Sequence, residues 1–167
     1  GMCSARTYSQ PWRATSFIAS VSVTAKSSSA DFTPLTFLAR FGAGTEPGRV
    51  VGYRLTDEQS GRAAVYLPGV QRLTPEVRRQ LDDCACLLID GTCWDNDELV
   101  RLGLAAKTST AMGHLPISGT GGSLEQLRGL SVERTIYIHM NNTNPVLLED
   151  SPERRMVTER GVEVAVD

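Results

Sequence analysis

The stretch that decides the fold reads R-T-I-Y-I-H-M-N-N-T-N-P and occupies residues 134–145. Its first part, Thr135–Ile138, consists of β-branched and aromatic residues, which are typical of a buried strand. Its second part is rich in asparagine and ends in proline, a composition that favours a turn. His139 lies between the two, so we expect it at the carboxyl end of a strand, where α/β proteins bind ligands. An imidazole there either ligates a metal or transfers a proton, or it only hydrogen-bonds a neighbouring carbonyl.

Strand and helix signals alternate from residue 62 onward, which is the pattern of an α/β fold with a layered sheet and helices. The predicted strands are Val50–Thr56, Arg62–Leu67, Cys84–Ile89, residues 134–140 and Val162–Val166, with Phe17–Ala25 as a further candidate. The predicted helices start at Thr74, Asp95, Ser123 and Ser151. The continuous apolar run Cys84–Ile89 indicates a central strand that is covered on both faces. Thr33–Phe41 is apolar but gives no choice between helix and strand.

Two of these helices are predicted from capping residues at the start of short apolar patterns. Asp95 with Glu98 forms a capping box, and that helix is expected to present Leu99 and Leu102 as its apolar side and to stop near Gly103. Ser123 is expected to cap the next helix in the same way. Between them, Lys107–Pro116 is predicted to be a loop.

Composition excludes several classes of function. The 167 residues carry a net charge of -2, so the basic surface of a nucleic-acid-binding protein is not expected. No apolar run reaches the roughly 18 residues of a membrane span. Cys84, Cys86 and Cys93 do not have the spacing of a zinc ribbon or a disulfide framework. They are therefore predicted to be free thiols in a reducing cytoplasm.

The candidate functional residues are the two histidines of the chain, His114 and His139, and the aspartate Asp90. Asp90 ends an apolar strand, and His114 lies in a loop, so all three could converge on one edge of the sheet. Asp90 has the alternative of forming an Asx turn or capping the next segment. Asn141, Asn142 and Asn144 could bind polar groups of a substrate, although asparagines in a turn usually hydrogen-bond within the turn itself.

Four motifs support a specific family resemblance: L-L-I-D-G-T-C-W (87–94), M-G-H-L-P-I-S-G (112–119), I-H-M-N-N-T-N-P (138–145) and E-D-S-P-E-R (149–154). The chain resembles the family of pyrroloquinoline quinone (PQQ) biosynthesis protein B, which has closely similar blocks. The resemblance is strong over residues 62–167, extends from about residue 26, and fails over residues 1–25.

The resemblance implies the metallo-β-lactamase fold, an αββα sandwich of which this chain would form an incomplete, C-terminal half. We expect residues 34–167 to form this half-domain and residues 1–33 to form a poorly defined N-terminal segment. The aspartate–histidine metal motif and the cysteine-rich zinc site of the family's amino half are not visible in the sequence.

The resemblance also implies roles for the candidate residues. His139 matches the last metal-binding histidine of the family, and His114 matches a histidine near the active site that would transfer a proton. Asp90 matches an aspartate that orients a histidine rather than binding the metal. Residues 66–69, Y-L-P-G, contain no aspartate to bridge two metals, so a single iron or zinc ion is implied, or none in this chain.

The implied function is a metal-dependent step on a tyrosine-derived precursor of PQQ, of the oxygenase, hydroxylase or hydrolase kind. The alternatives are a non-catalytic carrier of PQQ or its precursor, and an inactive half-domain that dimerises or docks on a missing amino half. The expected ligand is a small quinone-type or amino-acid-derived molecule.

Overall fold

The structure, a computed structural model, describes residues 12–15, 34–37, 50–57 and 60–165. The strands are β1 Trp12–Thr15, β2 Pro34–Phe37, β3 Val50–Asp57, β4 Ala63–Leu67, β5 Cys86–Asp90, β6 Thr135–Ile138 and β7 Val162–Val164. The helices are α1 Pro75–Leu81, α2 Glu98–Arg101, α3 Ser109–Met112, α4 Ser123–Gln126 and α5 Pro152–Glu159, with a 3-10 turn at Pro145–Leu147. Within the described residues, no helix is long and apolar enough to cross a membrane.

The described strands form one mixed sheet in the order β1-β3-β4-β5-β6-β7, and β2 also pairs with β3. Strands β1, β2 and β4 are antiparallel to β3. The pairs β4–β5, β5–β6 and β6–β7 are all parallel. The parallel half therefore places the carboxyl ends of β4, β5 and β6 at a single edge of the sheet, as the alternating pattern of the sequence predicts.

The core lies where helices cover the parallel strands. Leu87 and Ile89 of β5 are fully buried, and they belong to one apolar cluster with Leu81 of α1 and Val157 of α5. The other face of β5 is only partly buried at Leu88. The prediction that this strand is covered on both faces is therefore met fully on one face and partly on the other.

Most predicted elements are confirmed, with boundaries that differ by a few residues. The hairpin of β3 and β4 is antiparallel as expected. Thr74 and Ser151 cap α1 and α5, each accepting a hydrogen bond from a backbone N–H of the first turn. Residues 34–37 form a strand, which decides the ambiguous segment Thr33–Phe41. The candidate strand Phe17–Ala25 lies outside the described residues.

Two of the local predictions are wrong. The segment Lys107–Pro116 contains the helix α3, because Thr108 acts as its cap by accepting from the N–H of Ala111. The helix expected at Asp95 begins only at Glu98, and Leu102 is 53% exposed instead of facing inward. Both errors arise because these helices are a single turn long, so sequence periodicity carries little information.

Ser123 differs from its expected role, whereas the cysteines match theirs. Ser123 is the first residue of α4 rather than its cap, and its hydroxyl is 2.8 Å from the buried hydroxyl of Tyr137. Cys84, Cys86 and Cys93 are free thiols, as predicted, and burial raises the pKa of Cys84 to about 11. A thiol with so high a pKa is unreactive at neutral pH.

Candidate metal site

The edge of the parallel strands brings the three predicted residues together. Asp90 is the last residue of β5, and His139 directly follows β6, which pairs with β5 through Asp90 and Ile138. His114 follows Gly113, whose φ of 100° ends α3 in the left-handed conformation and turns the chain toward the same edge. Donor atoms of Asp90, His114 and His139, which we call the triad, lie within 4.8 Å of one another.

Asp90 is the centre of the triad and is completely buried. Its Oδ2 atom is 2.7 Å from Nδ1 of His114 and accepts a hydrogen bond of 3.2 Å from the backbone N–H of Val70. Its Oδ1 atom accepts from the backbone N–H and the hydroxyl of Thr92, at 3.1 and 2.6 Å, and lies 3.6 Å from Nδ1 of His139. The carboxylate thus forms an Asx-type turn and holds the site at the same time.

The hydroxyl of Thr92 lies between the members of the triad. Besides its bond to Asp90, Oγ1 is 3.0 Å from Nδ1 of His114 and 3.0 Å from Nδ1 of His139. A hydroxyl has one proton to donate and two lone pairs to accept with. Because the shortest contact is to the carboxylate, we assign the proton to that bond, and Thr92 then accepts from the ring N–H groups.

These contacts assign the same tautomer to both imidazoles. A carboxylate and a hydroxyl lone pair face Nδ1 of each ring, so each Nδ1 carries the proton and each neutral ring keeps a lone pair on Nε2. Within the described residues, the hydrogen bonds of the His114 and His139 rings involve Nδ1 alone. The Nε2 atoms are therefore the groups that the site presents for chemistry.

The charge of Asp90 shapes the titration of its neighbours. Burial by itself would raise the pKa of Asp90, but hydrogen bonds from His114, His139 and Thr92 outweigh it and lower that pKa below the ordinary value of 3.8. The interaction with Asp90 raises the pKa of His139 above 6.5, against a smaller opposing effect of burial. The carboxylate is thus ionised at neutral pH, and it favours the protonated form of His139.

The backbone of His139 has φ of 55°, in the left-handed region that a residue with a side chain seldom adopts. Strained backbone of this kind persists when surrounding contacts impose it, and it is concentrated at functional sites. Here the hydroxyl oxygen of Thr92, whose one proton goes to Asp90, also lies 3.1 Å from the carbonyl oxygen of His139. The side chain is 56% exposed. In this backbone conformation the ring is therefore accessible to solvent and available for binding.

Comparisons with known proteins agree with this fold. The family model for a beta-lactamase superfamily domain matches residues 4–140. The chain belongs to the beta-lactamase superfamily. The matched region is most of the chain, and it includes every member of the triad.

Named relatives within the beta-lactamase superfamily confirm the resemblance read from the motifs. Coenzyme PQQ synthesis protein B of Azoarcus sp. (strain BH72) is 51% identical over 122 residues, 72% of this chain and 40% of that protein. The protein of the same name from Pseudomonas putida (strain GB-1) is 46% identical over 121 residues, again 72% of this chain and 40% of that protein. The chain thus spans about 40% of the length of these relatives.

Two solved structures agree with the predicted fold class. The crystal structure of Zn(2+)-bound PqqB from Methylobacterium extorquens is 34% identical with a TM-score of 0.71, covering 81% of this chain and 44% of that one. Unliganded yeast PDE1, at 14% identity, has a TM-score of 0.52 and covers 98% of this chain and 46% of that one. The second likeness concerns the fold alone.

The donor atoms of this superfamily member fit a single metal ion. Two imidazoles with a carboxylate are a donor set suited to zinc or iron. Both oxygens of Asp90 already accept hydrogen bonds, so the carboxylate serves better as the partner that orients a ligating histidine than as a ligand. The described part of the chain therefore offers two imidazole nitrogens, fewer than the three or so protein ligands of a typical catalytic zinc site.

The asparagines following His139 have different surroundings. Asn142 is exposed, and the side chain of Asn141 donates to the hydroxyl of Thr143. Asn144, the third asparagine considered for substrate binding, is instead buried, and its side chain donates a hydrogen bond of 2.8 Å to the carbonyl of Gly91. Asn141 and Asn142 thus remain candidates for substrate contact beside the triad, while Asn144 ties the turn to the Asp90 loop.

Sequence reasoning missed Thr92 and Glu98 as parts of the site. The sequence indicated Thr92 only as a neighbour of Asp90. The D-G-T motif, which contains both residues, is the signal that could have identified it as part of the site. Glu98 was expected to cap a helix, but its side chain is 3% exposed and bonds the backbone of Trp94 and the hydroxyl of Thr143. Nothing in the local pattern indicates that second contact, which spans 45 residues.

A cavity of about 640 Å³ lies beside the site rather than in it. Its lining includes Arg72, Thr110 and Leu115, and no member of the triad. Leu115 directly follows His114, and the N–H of Leu115 bonds the carbonyl of Val70, whose own N–H bonds Asp90. The cavity wall and the triad thus share two chain segments, residues 70–74 and 110–115.

We expect Asp90→Asn to lower the free energy of unfolding by about 3 kcal/mol. The amide replaces one oxygen by an NH₂ group, which faces N–H donors on either side of the carboxylate. Chemical denaturation measures the effect, with Asp97→Asn as the matched control, since Asp97 is exposed and makes no side-chain cap bond. A stability of Asp90→Asn equal to that of the control would contradict this account of the site.

The raised pKa of His139 predicts how the stability of the folded protein changes with pH. Because its folded pKa is raised, the stabilisation that it brings is fully present below the ordinary value of 6.5 and is lost as the pH rises through the raised value. An NMR titration of the metal-free protein should give His139 a midpoint above 6.5. In Asp90→Asn the midpoint should fall, because the neighbouring charge is gone. A midpoint at or below 6.5 in the unsubstituted protein would refute the expected ion pair.

Proposed function

We propose that this chain takes part in the synthesis of coenzyme PQQ, in a metal-dependent step on a quinone-type or tyrosine-derived precursor. The observation that carries the proposal is the triad, in which a buried carboxylate fixes two imidazoles with their Nε2 atoms available. The 51% sequence identity with a PQQ synthesis protein B supports a role in PQQ synthesis. The zinc bound to the Methylobacterium extorquens relative supports the dependence on a metal.

Asp90 and His114 form the proton-transfer part of the proposed site. The bond from Nδ1 of His114 to Oδ2 of Asp90, at 2.7 Å, holds the ring in one orientation and one tautomer. Nε2 of His114 can then accept a proton from a bound hydroxyl or water, and Asp90 stabilises the imidazolium that results. His114 is 17% exposed, so the ring meets a ligand from one side only.

His139 is the proposed metal ligand. Its exposed ring and its left-handed backbone direct Nε2 outward, while Thr92 and Asp90 hold Nδ1. When bound, iron or zinc would supply a Lewis acid or, for iron, a centre for oxygen chemistry. Asn141 and Asn142, beside His139, are the proposed contacts for polar groups of the precursor.

We infer that this chain does not form the complete site by itself. His139 is one proposed ligand, and even with the imidazole of His114 added the described residues would offer fewer ligands than a stable catalytic metal site uses. The chain spans about 40% of the length of its relatives, and further ligands would come from a partner or segment that supplies the remaining part, including a second copy of the chain. The free thiols support a reducing compartment, which we propose is the cytoplasm.

A chimera tests this proposal. The matched stretch of this chain would replace its counterpart in PQQ synthesis protein B of Pseudomonas putida, in a strain that lacks that gene. We expect the chimera to restore PQQ, measured by mass spectrometry, and the 167-residue chain alone to fail. The chimera with His139→Ala should restore less than about one hundredth of the PQQ, because loss of a ligand removes the metal.

The matched control is the chimera with His114→Ala, which should keep bound metal but lose activity, since His114 serves as the proton acceptor. Metal content of both purified chimeras separates the two roles. Full PQQ production by His139→Ala would refute a catalytic metal site and favour a carrier of PQQ or its precursor. Failure of the unsubstituted chimera, when folded and expressed, would refute the shared pathway.

A further inference from the structure

A buried carboxylate outside the triad connects the two segments that carry the site. Glu98 lies at the start of α2, a helix of only four residues, and its side chain is 3% exposed. Burying such a group is unfavourable unless its oxygens are hydrogen-bonded. A glutamate in the first turn of a four-residue helix stabilises that helix too little to account for the burial. The hydrogen bonds of the Glu98 side chain are therefore the better explanation.

The side chain of Glu98 contacts both the loop that follows Asp90 and the turn that follows His139. Oε2 accepts a hydrogen bond of 2.6 Å from the backbone N–H of Trp94. Trp94 is part of the loop that follows Asp90. Oε1 accepts from the hydroxyl of Thr143 at 2.5 Å, in the turn that follows His139. The same hydroxyl accepts a hydrogen bond from the side chain of Asn141. Glu98 therefore joins the two turns through a single side chain.

Two further bonds connect the same segments directly. The side chain of Asn144, itself buried, donates to the carbonyl of Gly91 at 2.8 Å. The backbone N–H of Asn141 donates to the carbonyl of Thr92 at 2.9 Å. We call Glu98, Thr143 and Asn144 the clasp, because together they hold residues 91–94 against residues 141–144.

The clasp determines where Thr92 lies relative to His139. The hydroxyl of Thr92 touches Asp90 and both imidazoles, so a shift of its loop would change three contacts at once. His139 is two residues from Asn141, and its backbone is already in a strained conformation. Contacts of about 3 Å tolerate little displacement before a hydrogen bond is lost.

We propose that Glu98 and Thr143 are positioning residues of the site, which act through the clasp on Thr92 and His139. This inference deepens the proposed function, and its consequence for metal binding rests on that function. Partners that hold a ligating histidine in place usually change metal affinity by about 10- to 100-fold when they are removed. The clasp itself is a property of the metal-free chain and is testable without any metal.

The variant that tests the clasp is Thr143→Val, which keeps the shape of the side chain and removes the hydroxyl. Thr143→Ser restores the hydroxyl, and Thr158→Val makes the same change at an exposed position on α5, away from the site. If Thr143→Val fails to fold, Glu98→Gln replaces it, since the amide keeps one of the two acceptors.

The first measurement is amide hydrogen exchange by NMR on the metal-free, full-length chain. The N–H of Asn141, which is bonded to the carbonyl of Thr92, should exchange at least about tenfold faster in Thr143→Val than in Thr143→Ser or Thr158→Val. Equal exchange of Asn141 in all three folded variants would overturn the proposal, whatever the metal does.

The second measurement is the dissociation constant of Zn²⁺, added alone and measured by titration calorimetry. We expect binding about tenfold weaker in Thr143→Val and unchanged in Thr143→Ser and Thr158→Val. Faster exchange with unchanged zinc affinity would overturn the positioning role and leave a purely structural clasp. If the unsubstituted chain alone binds no zinc, its site is incomplete without further ligands, as proposed above, and the exchange result alone then decides whether the clasp is upheld or overturned.

Discussion

The interaction on which the site depends is the contact of the buried carboxylate of Asp90 with its four polar neighbours. A fully buried charge is stable only when partners replace the water that it has lost. Here the partners are Val70, His114 and His139, drawn from three separate segments of the chain, and Thr92 from the loop of Asp90 itself. Satisfying this one carboxylate therefore fixes the loop after β4, the loop after α3 and the turn after β6 in one arrangement.

The parallel half of the sheet makes that arrangement possible. Because β5 and β6 run in the same direction, their carboxyl ends meet at one edge, and Asp90 pairs with the residue before His139. An antiparallel pair in this place would put the two residues at opposite ends. The same logic places Val70, just beyond β4, within reach of the carboxylate.

The sequence predicted the convergence of Asp90, His114 and His139 because strand ends and loop positions are local features. The two readings offered for Asp90, an Asx turn and a functional residue, are both present, since Oδ1 bonds the N–H of Thr92 while Oδ2 bonds His114. The superfamily could be predicted from motifs such as D-G-T and M-G-H. Secondary-structure propensities alone would not have indicated it.

The sequence could not predict the contacts that join distant segments. Glu98 matched a capping box, yet its bond to Thr143 depends on how β5 and β6 pair. Leu102 matched an inward helical position, but a single turn of helix does not fix which face is buried, and it is exposed. The capping bond of Thr108, which starts α3, was hidden in a segment with loop-like composition. In each case tertiary contacts override local preference.

The central claim is that the carboxylate of Asp90 and the hydroxyl of Thr92 bind the Nδ1 side of both imidazoles and leave Nε2 for chemistry. Long-range ¹⁵N–¹H correlation NMR of the histidine rings, recorded on the metal-free chain at alkaline pH, reads the tautomer of each ring directly. The account predicts that His114 and His139 both carry the proton on Nδ1. A proton on Nε2 of either ring would contradict it.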